Sequence, residues 1–205
     1  MSSSRRHKHE LVSLSEGGRY KCSGCKEKGR NARFTCTKCK NVMIHQQCAQ
    51  LPDVYENSIH AEGQLKFRPE TFFTHNCIAC RKEIEGFVFE SPSRNLRFHP
   101  LCITLPLNFN FGGHINHALQ LFKAGEEKYS CNFCNQSNRG WRYACQQCPY
   151  TLDLSCAKLD LQGLLHSPLK DEDVIEHGDG NDGDSTKIAI EVIKIVADLA
   201  GGGSS

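Results

Sequence analysis

Cys48, Cys102 and Cys156 stand 54 residues apart, and the residues three positions before them, His45, His99 and Asp153, keep the same interval. The cysteine pairs upstream take nearly the same step: Cys22/Cys25, Cys77/Cys80 and Cys131/Cys134. Self-similarity at a fixed period marks a repeated structural unit. A unit of about 50 residues buries too little apolar surface to fold on its core alone, and commonly needs a metal or disulfides. The 13 cysteines are odd in number, which suits disulfides poorly. The opening MSSSRRHKHE has no apolar core of the kind an export signal needs. A reducing compartment, cytoplasm or nucleus, is therefore expected, and there clustered CxxC pairs act as zinc sites. No apolar run is long enough to span a bilayer, so the chain is not expected to be transmembrane.

The ligand types sort by repeat. The first offers, in order, His9, Cys22, Cys25, Cys36, Cys39, His45, Cys48 and His60. The last offers His117, Cys131, Cys134, Cys145, Cys148, Asp153, Cys156 and His166. Eight donors suffice for two tetrahedral zinc ions, and the carboxylate of Asp153 can stand where the first repeat has His45. The middle repeat keeps only Cys77, Cys80, His99 and Cys102: it has no second cysteine pair, and Gly63 stands at the place of the leading histidine. The expectation is thus about five Zn²⁺ and twenty ligands, with every cysteine used.

The order His…CxxC…CxxC…His-x2-Cys…His resembles the divergent C1 domain of plants, a Cys/His-rich zinc finger related to the diacylglycerol-binding C1 domain. The resemblance covers about residues 7–168. It implies small zinc-stapled α+β modules: three tandem C1-like fingers with short strands, short helices and little regular secondary structure. It also implies a cross-brace, in which His9, Cys36, Cys39 and His60 make one site while Cys22, Cys25, His45 and Cys48 make the other. The last repeat would pair His117, Cys145, Cys148 and His166, and separately Cys131, Cys134, Asp153 and Cys156. The expected boundaries are a basic arm over 1–8, modules over 9–60, 61–114 and 115–168, an acidic Gly-rich linker over 169–184, an amphipathic helix over 185–200 and a flexible end over 201–205. Segments such as ARFTC and WRYAC, aromatic and alternating, are expected as strands. A short helical turn is expected after each of Cys48, Cys102 and Cys156. His114, left without partners in the middle repeat, reads as a relic, and His7 as a surface residue.

Four complete ligands per ion suit structural rather than catalytic zinc, which keeps an open position for water. No phosphate loop or metallohydrolase motif is present, so the chain is expected to be no enzyme. The resemblance points instead to a protein-interaction adaptor in plant intracellular signalling or stress response. Other proteins are the expected partners. Two alternatives carry specific residues. Cys22 to Cys48 continued by Cys77/Cys80 satisfies the order of a plant homeodomain finger, a chromatin reader. The basic stretch of Lys26, Lys28, Arg30 and Arg33 could attract nucleic acid or an anionic membrane. Residues 1–48 carry a balance of +8 and residues 171–205 one of −7. Diacylglycerol binding needs apolar loop tips, and KEKGRNARFT has none.

Overall fold

The computed structural model describes residues 6–56, 63–70, 74–91, 95–123 and 127–165. His60, His166, the acidic linker and the expected C-terminal helix lie outside the described residues.

The first repeat builds β1 (Leu11–Leu14), β2 (Arg19–Lys21), β3 (Lys28–Arg30), β4 (Arg33–Cys36), β5 (Met43–His45) and α1 (Gln46–Gln50). It forms a three-stranded sheet in the order β1-β4-β5 and a separate hairpin, β2-β3. The middle of the chain gives β6 (Val54–Glu56), β7 (Gln64–Arg68), β8 (Val88–Ser91), β9 (Leu96–Phe98) and α2 (Pro100–Ile103). Its strands form one antiparallel sheet in chain order. The last part gives β10 (Asn108–Phe111), β11 (His114–Phe122), β12 (Tyr129–Ser130), β13 (Ser137–Asn138), β14 (Arg142–Ala144), β15 (Thr151–Asp153) and α3 (Leu154–Leu161). Here the sheet order is β10-β11-β14-β15, with β12-β13 as the hairpin. β6 lies upstream of residue 60 yet pairs with β7, and β10 lies upstream of residue 114 yet pairs with β11.

The helical turns begin earlier than the sequence suggests. α1, α2 and α3 start directly after His45, His99 and Asp153, so Cys48, Cys102 and Cys156 lie inside them. The physical reason is periodicity: one helical turn returns the third residue to the face of the cap residue. Asp153 reinforces it, since its side chain accepts the Cys156 N–H at 2.8 Å.

One apolar core runs through all three parts. The middle sheet is the most aromatic: Phe67 meets Phe87 edge-on with centroids 5.0 Å apart, and Phe89 at 5.7 Å. Ser91 is buried at the position where the period would put the first cysteine of a second pair. Packed rings thus do in the middle part the stapling that a second metal group would do. Arg6 closes this core from the first repeat. Its guanidinium lies 3.4 Å from the Phe67 centroid, donates to the Cys48 carbonyl at 3.0 Å, and pairs with Asp53 at 2.9 Å.

The contacts between neighbouring parts repeat as well. The Phe87 N–H donates to the Gly24 carbonyl at 3.0 Å, and 54 residues on the Trp141 N–H donates to the Ala79 carbonyl at 2.9 Å. Gly24 and Ala79 both sit inside a CxxC. A Cβ on Gly24 would stand 2.3 Å from the Phe87 ring, so the close approach needs glycine there. In the last repeat the same position is Phe133, whose ring turns back onto Phe111, edge-on at 5.2 Å.

Candidate metal centres

Each CxxC pair lies in a tight turn of the same construction. The Cys22 N–H donates to the Glu27 carbonyl, Cys77 to Lys82 and Cys131 to Gln136, at 2.8–3.0 Å. The residue after each second cysteine, Lys26, Arg81 and Asn135, adopts a positive φ near 60°. This turn aims both sulfurs inward. The last strand then delivers its final residue to the same place: the His45, His99 and Asp153 N–H groups point at the Cys22, Cys77 and Cys131 sulfurs at 3.4–3.5 Å.

Five groups of four donors result. They are His7, His9, Cys36, Cys39; Cys22, Cys25, His45, Cys48; Cys77, Cys80, His99, Cys102; His114, His117, Cys145, Cys148; and Cys131, Cys134, Asp153, Cys156. Within each, all ligand atoms lie within 4.8 Å of one another. A tetrahedral zinc ion holds sulfur and nitrogen about 3.6 Å apart and two sulfurs about 3.8 Å apart. Cys25 Sγ lies 3.3 Å and Cys48 Sγ 3.7 Å from His45 Nδ1. His99 Nδ1 is 3.3 Å from Cys80 and 3.9 Å from Cys102. His117 Nδ1 is 3.6 Å from Cys145 and 3.8 Å from Cys148. Cys131 and Cys156 sulfurs are 3.9 Å apart. The donors fit zinc in type, number and spacing.

The residues behind the ligands settle their orientation. His45 Nε2 faces the Lys28 carbonyl at 3.1 Å, and His99 Nε2 the Glu83 carbonyl at 2.9 Å. Each ring thus donates outward and turns Nδ1 to the thiolates, the second contact that metal-binding histidines usually make. Asp153 has no such ring. Instead the Asn138 amide donates to its Oδ2 at 3.2 Å, and the same oxygen faces Cys134 at 3.2 Å and Cys156 at 3.5 Å. In the hairpins Tyr20 pairs with Gly29 and Tyr129 with Asn138, so Asn138 stands where the first repeat has Gly29. A Cβ on Gly29 would lie 2.4 Å from His45 Nε2. The two positions are therefore matched: glycine makes room for the long histidine, and asparagine fills the space left by the short aspartate.

Hydrogen bonds from Cys25 and Cys48 hold the Cys22 thiol well below the ordinary thiol range. Hydrogen bonds with Cys22 and Cys25, with burial behind them, push Cys48 well above it. A cation entering such a group replaces shared protons.

Eighteen of the twenty sequence-expected residues enter these groups. Among the described residues the fourth member of each outer group is another histidine, His7 beside His9 and His114 beside His117, while the expected His60 and His166 lie outside the described residues. His7 is thus not a mere surface residue, nor is His114 a relic; its Nε2 lies 3.5 Å from Cys148 and its ring stacks on Tyr150 at 4.4 Å. The available signal was the histidine pairs themselves, His7-x-His9 just before β1 and His114-x2-His117 within the start of β11. The groups interleave along the chain, as a cross-brace requires. Among the described residues no group joins Cys36 and Cys39 to Cys77 and Cys80, the link a plant homeodomain finger would need.

The architecture is that of a small, strand-rich Cys/His-cluster protein of the zinc-finger kind. The C1 domain family model matches residues 5–49 and 113–157. No curated protein and no solved structure matches the chain. Among the described residues no helix is long and apolar enough to cross a membrane.

Proposed function

We propose that this chain is a non-catalytic zinc protein whose five structural Zn²⁺ ions staple three tandem C1-type modules, the middle one a half-module with a single ion. The observation that carries this reading is the convergence of four donors in each of five groups. Under it, the twenty ligands are His7, His9, Cys36 and Cys39; Cys22, Cys25, His45 and Cys48; Cys77, Cys80, His99 and Cys102; His114, His117, Cys145 and Cys148; and Cys131, Cys134, Asp153 and Cys156. Zinc binding energy is folding energy in such modules. Trp141, the one tryptophan, is buried between the middle and last parts and reports their union. A strong chelator should expose it, with a red-shifted emission that zinc, not magnesium, reverses. Emission unmoved by chelation that removes all metal would overturn the reading.

The modules act as an adaptor for other proteins in the cytoplasm or nucleus. The assignment to plant signalling or stress response rests on the resemblance to divergent C1 domains alone. One surface supports partner binding. β1 is a sheet edge, and Val12 and Leu14 expose apolar side chains on one face of it. Replacing both by Asp should abolish partner capture while leaving the zinc content intact. Capture that survives the double replacement removes this surface from the account.

A further inference from the structure

The hairpin β2-β3 opposes like charges. Its register sets Arg19 against Arg30 and Lys21 against Lys28, with Tyr20 against Gly29 between them. Side chains alternate along a strand, so the buried Tyr20 and Gly29 turn inward and the four cations share the outer face. Opposed residues on one face stand about 5 Å apart, and like charges there destabilise the pair. The matching position elsewhere avoids this: Asn76 faces Glu83 in the middle part, and Ser130 faces Ser137 in the last. At that position the doubled charge belongs to the first repeat alone.

Two carboxylates come near without cancelling the charge. Glu85 approaches Lys21 at 3.7 Å, but both side chains are more than half exposed, and a pair so solvated contributes little. Glu27, beside Lys28, is engaged by Lys158 of α3. Arg30 Nε is buried with no hydrogen-bond partner. The contact of Glu27 with Lys158 also brings the end of the described chain to the hairpin. α3 ends at Leu161 and the described residues at Leu165. Asp171 follows six residues later, a span of at most about 20 Å. Residues 171–184 hold seven carboxylates and no lysine or arginine. A block of like charge this long acts as an interaction tail.

We infer that the acidic run 171–184 docks in cis on the outer face of β2-β3, held by Arg19, Lys21, Lys28 and Arg30. Charge complementarity and tether length favour this occupant over an external polyanion, because a short tether gives a local concentration in the millimolar range. The docked run screens the face, so a nucleic acid or an anionic membrane meets the first repeat only after displacing it. The like-charge pairs, costly in the hairpin alone, are neutralised within the molecule. Salt weakens the contact, since exposed charges are screened over about 10 Å at 0.1 M.

The test uses the full chain purified with zinc. A carbodiimide joins carboxylates to lysine amines in contact with them, and mass spectrometry maps the joined peptides. In dilute protein at low salt, residues 171–184 should join Lys21 and Lys28 of the same chain, and high salt should suppress the links. Links from 171–184 spread evenly over the exposed lysines overturn the docking. A fluorescein-labelled oligothymidylate then probes the face. A chain with every Asp and Glu of 171–184 replaced by Asn and Gln should bind it at least about fivefold tighter than the parent, the low end of ordinary coupling between two sites. Grafting the serines of the last repeat, Lys21→Ser/Lys28→Ser, should abolish that gain and leave the zinc content unchanged; if the graft does not fold, the cross-links decide. Equal affinity of the parent and the neutralised chain overturns the docking, because the face is then open to external polyanions. A gain that persists in full with both serines in place also overturns it, because the acidic charge then acts on the molecule as a whole.

Discussion

Asp153 looks like a weak ligand awaiting replacement by histidine, but the structure predicts that this exchange fails on its own. In the first repeat His45 fits because Gly29 has no side chain: a Cβ there would lie 2.4 Å from Nε2. A histidine at 153 would meet the side chain of Asn138 in that space, about 1 Å inside van der Waals contact. Overpacking on this scale costs about 1–3 kcal/mol. Losing the Asp153 cap on the Cys156 N–H, 2.8 Å long, costs about 1 kcal/mol more. Asp153→His should therefore loosen the centre by about 2–4 kcal/mol before any gain from the better ligand. Asp153→His with Asn138→Gly rebuilds the first-repeat geometry and should recover the overpacking part, about 1–3 kcal/mol, or roughly 5- to 150-fold in zinc retention. The assay is a double-mutant cycle on zinc competition with a chelator, for Asp153→His, Asn138→Gly and the pair. Additive effects, or a single Asp153→His that retains zinc better than the parent, would refute the pairing of positions 138 and 153.

Three further outcomes follow from the same geometry. Gly24→Ala drives a Cβ into the Phe87 ring and should cost about 1–3 kcal/mol in thermal unfolding, with zinc content unchanged because Cys22 and Cys25 remain. Arg6→Ala removes the donor to the Cys48 carbonyl and strips the cover from Phe67, while the partly exposed Asp53 adds little; a loss of about 1–3 kcal/mol should appear in denaturant titration. Acid should strip zinc: the ligands bind as thiolates, protons compete for them, and Cys25 and Cys48 already sit above the ordinary thiol range. Occupancy should thus fall as pH falls, with protons released on loading; uptake that leaves an unbuffered solution's pH unmoved contradicts this.

The 54-residue period places most of the donors because a metal group fixes residue type and spacing together. Two kinds of feature escape it. The hairpins β6-β7 and β10-β11 carry no cysteine, although Leu65 and Phe67 alternate inward in β7 as a half-buried strand should. The fourth outer donors escape for a different reason. Sequence spacing alone does not say that His7 joins His9, or His114 joins His117, in one group, and His60 and His166 lie outside the described residues. At the period His114 corresponds to His60 and His117 to Gly63, so the His114/His117 pair has no counterpart at those positions of the middle repeat. The joints between repeats were the least legible. Glu27 and Lys158 are 131 residues apart, and no pattern in either segment announces the other.

Native mass spectrometry of the full chain purified with zinc tests the central claim most directly, taken together with single His→Ala variants. The account predicts five Zn²⁺ in the parent, four in His7→Ala and four in His114→Ala, and five in His60→Ala and in His166→Ala. A parent with two ions or fewer and intact folding, or ion loss on replacing His60 and His166 but not His7 and His114, would contradict it.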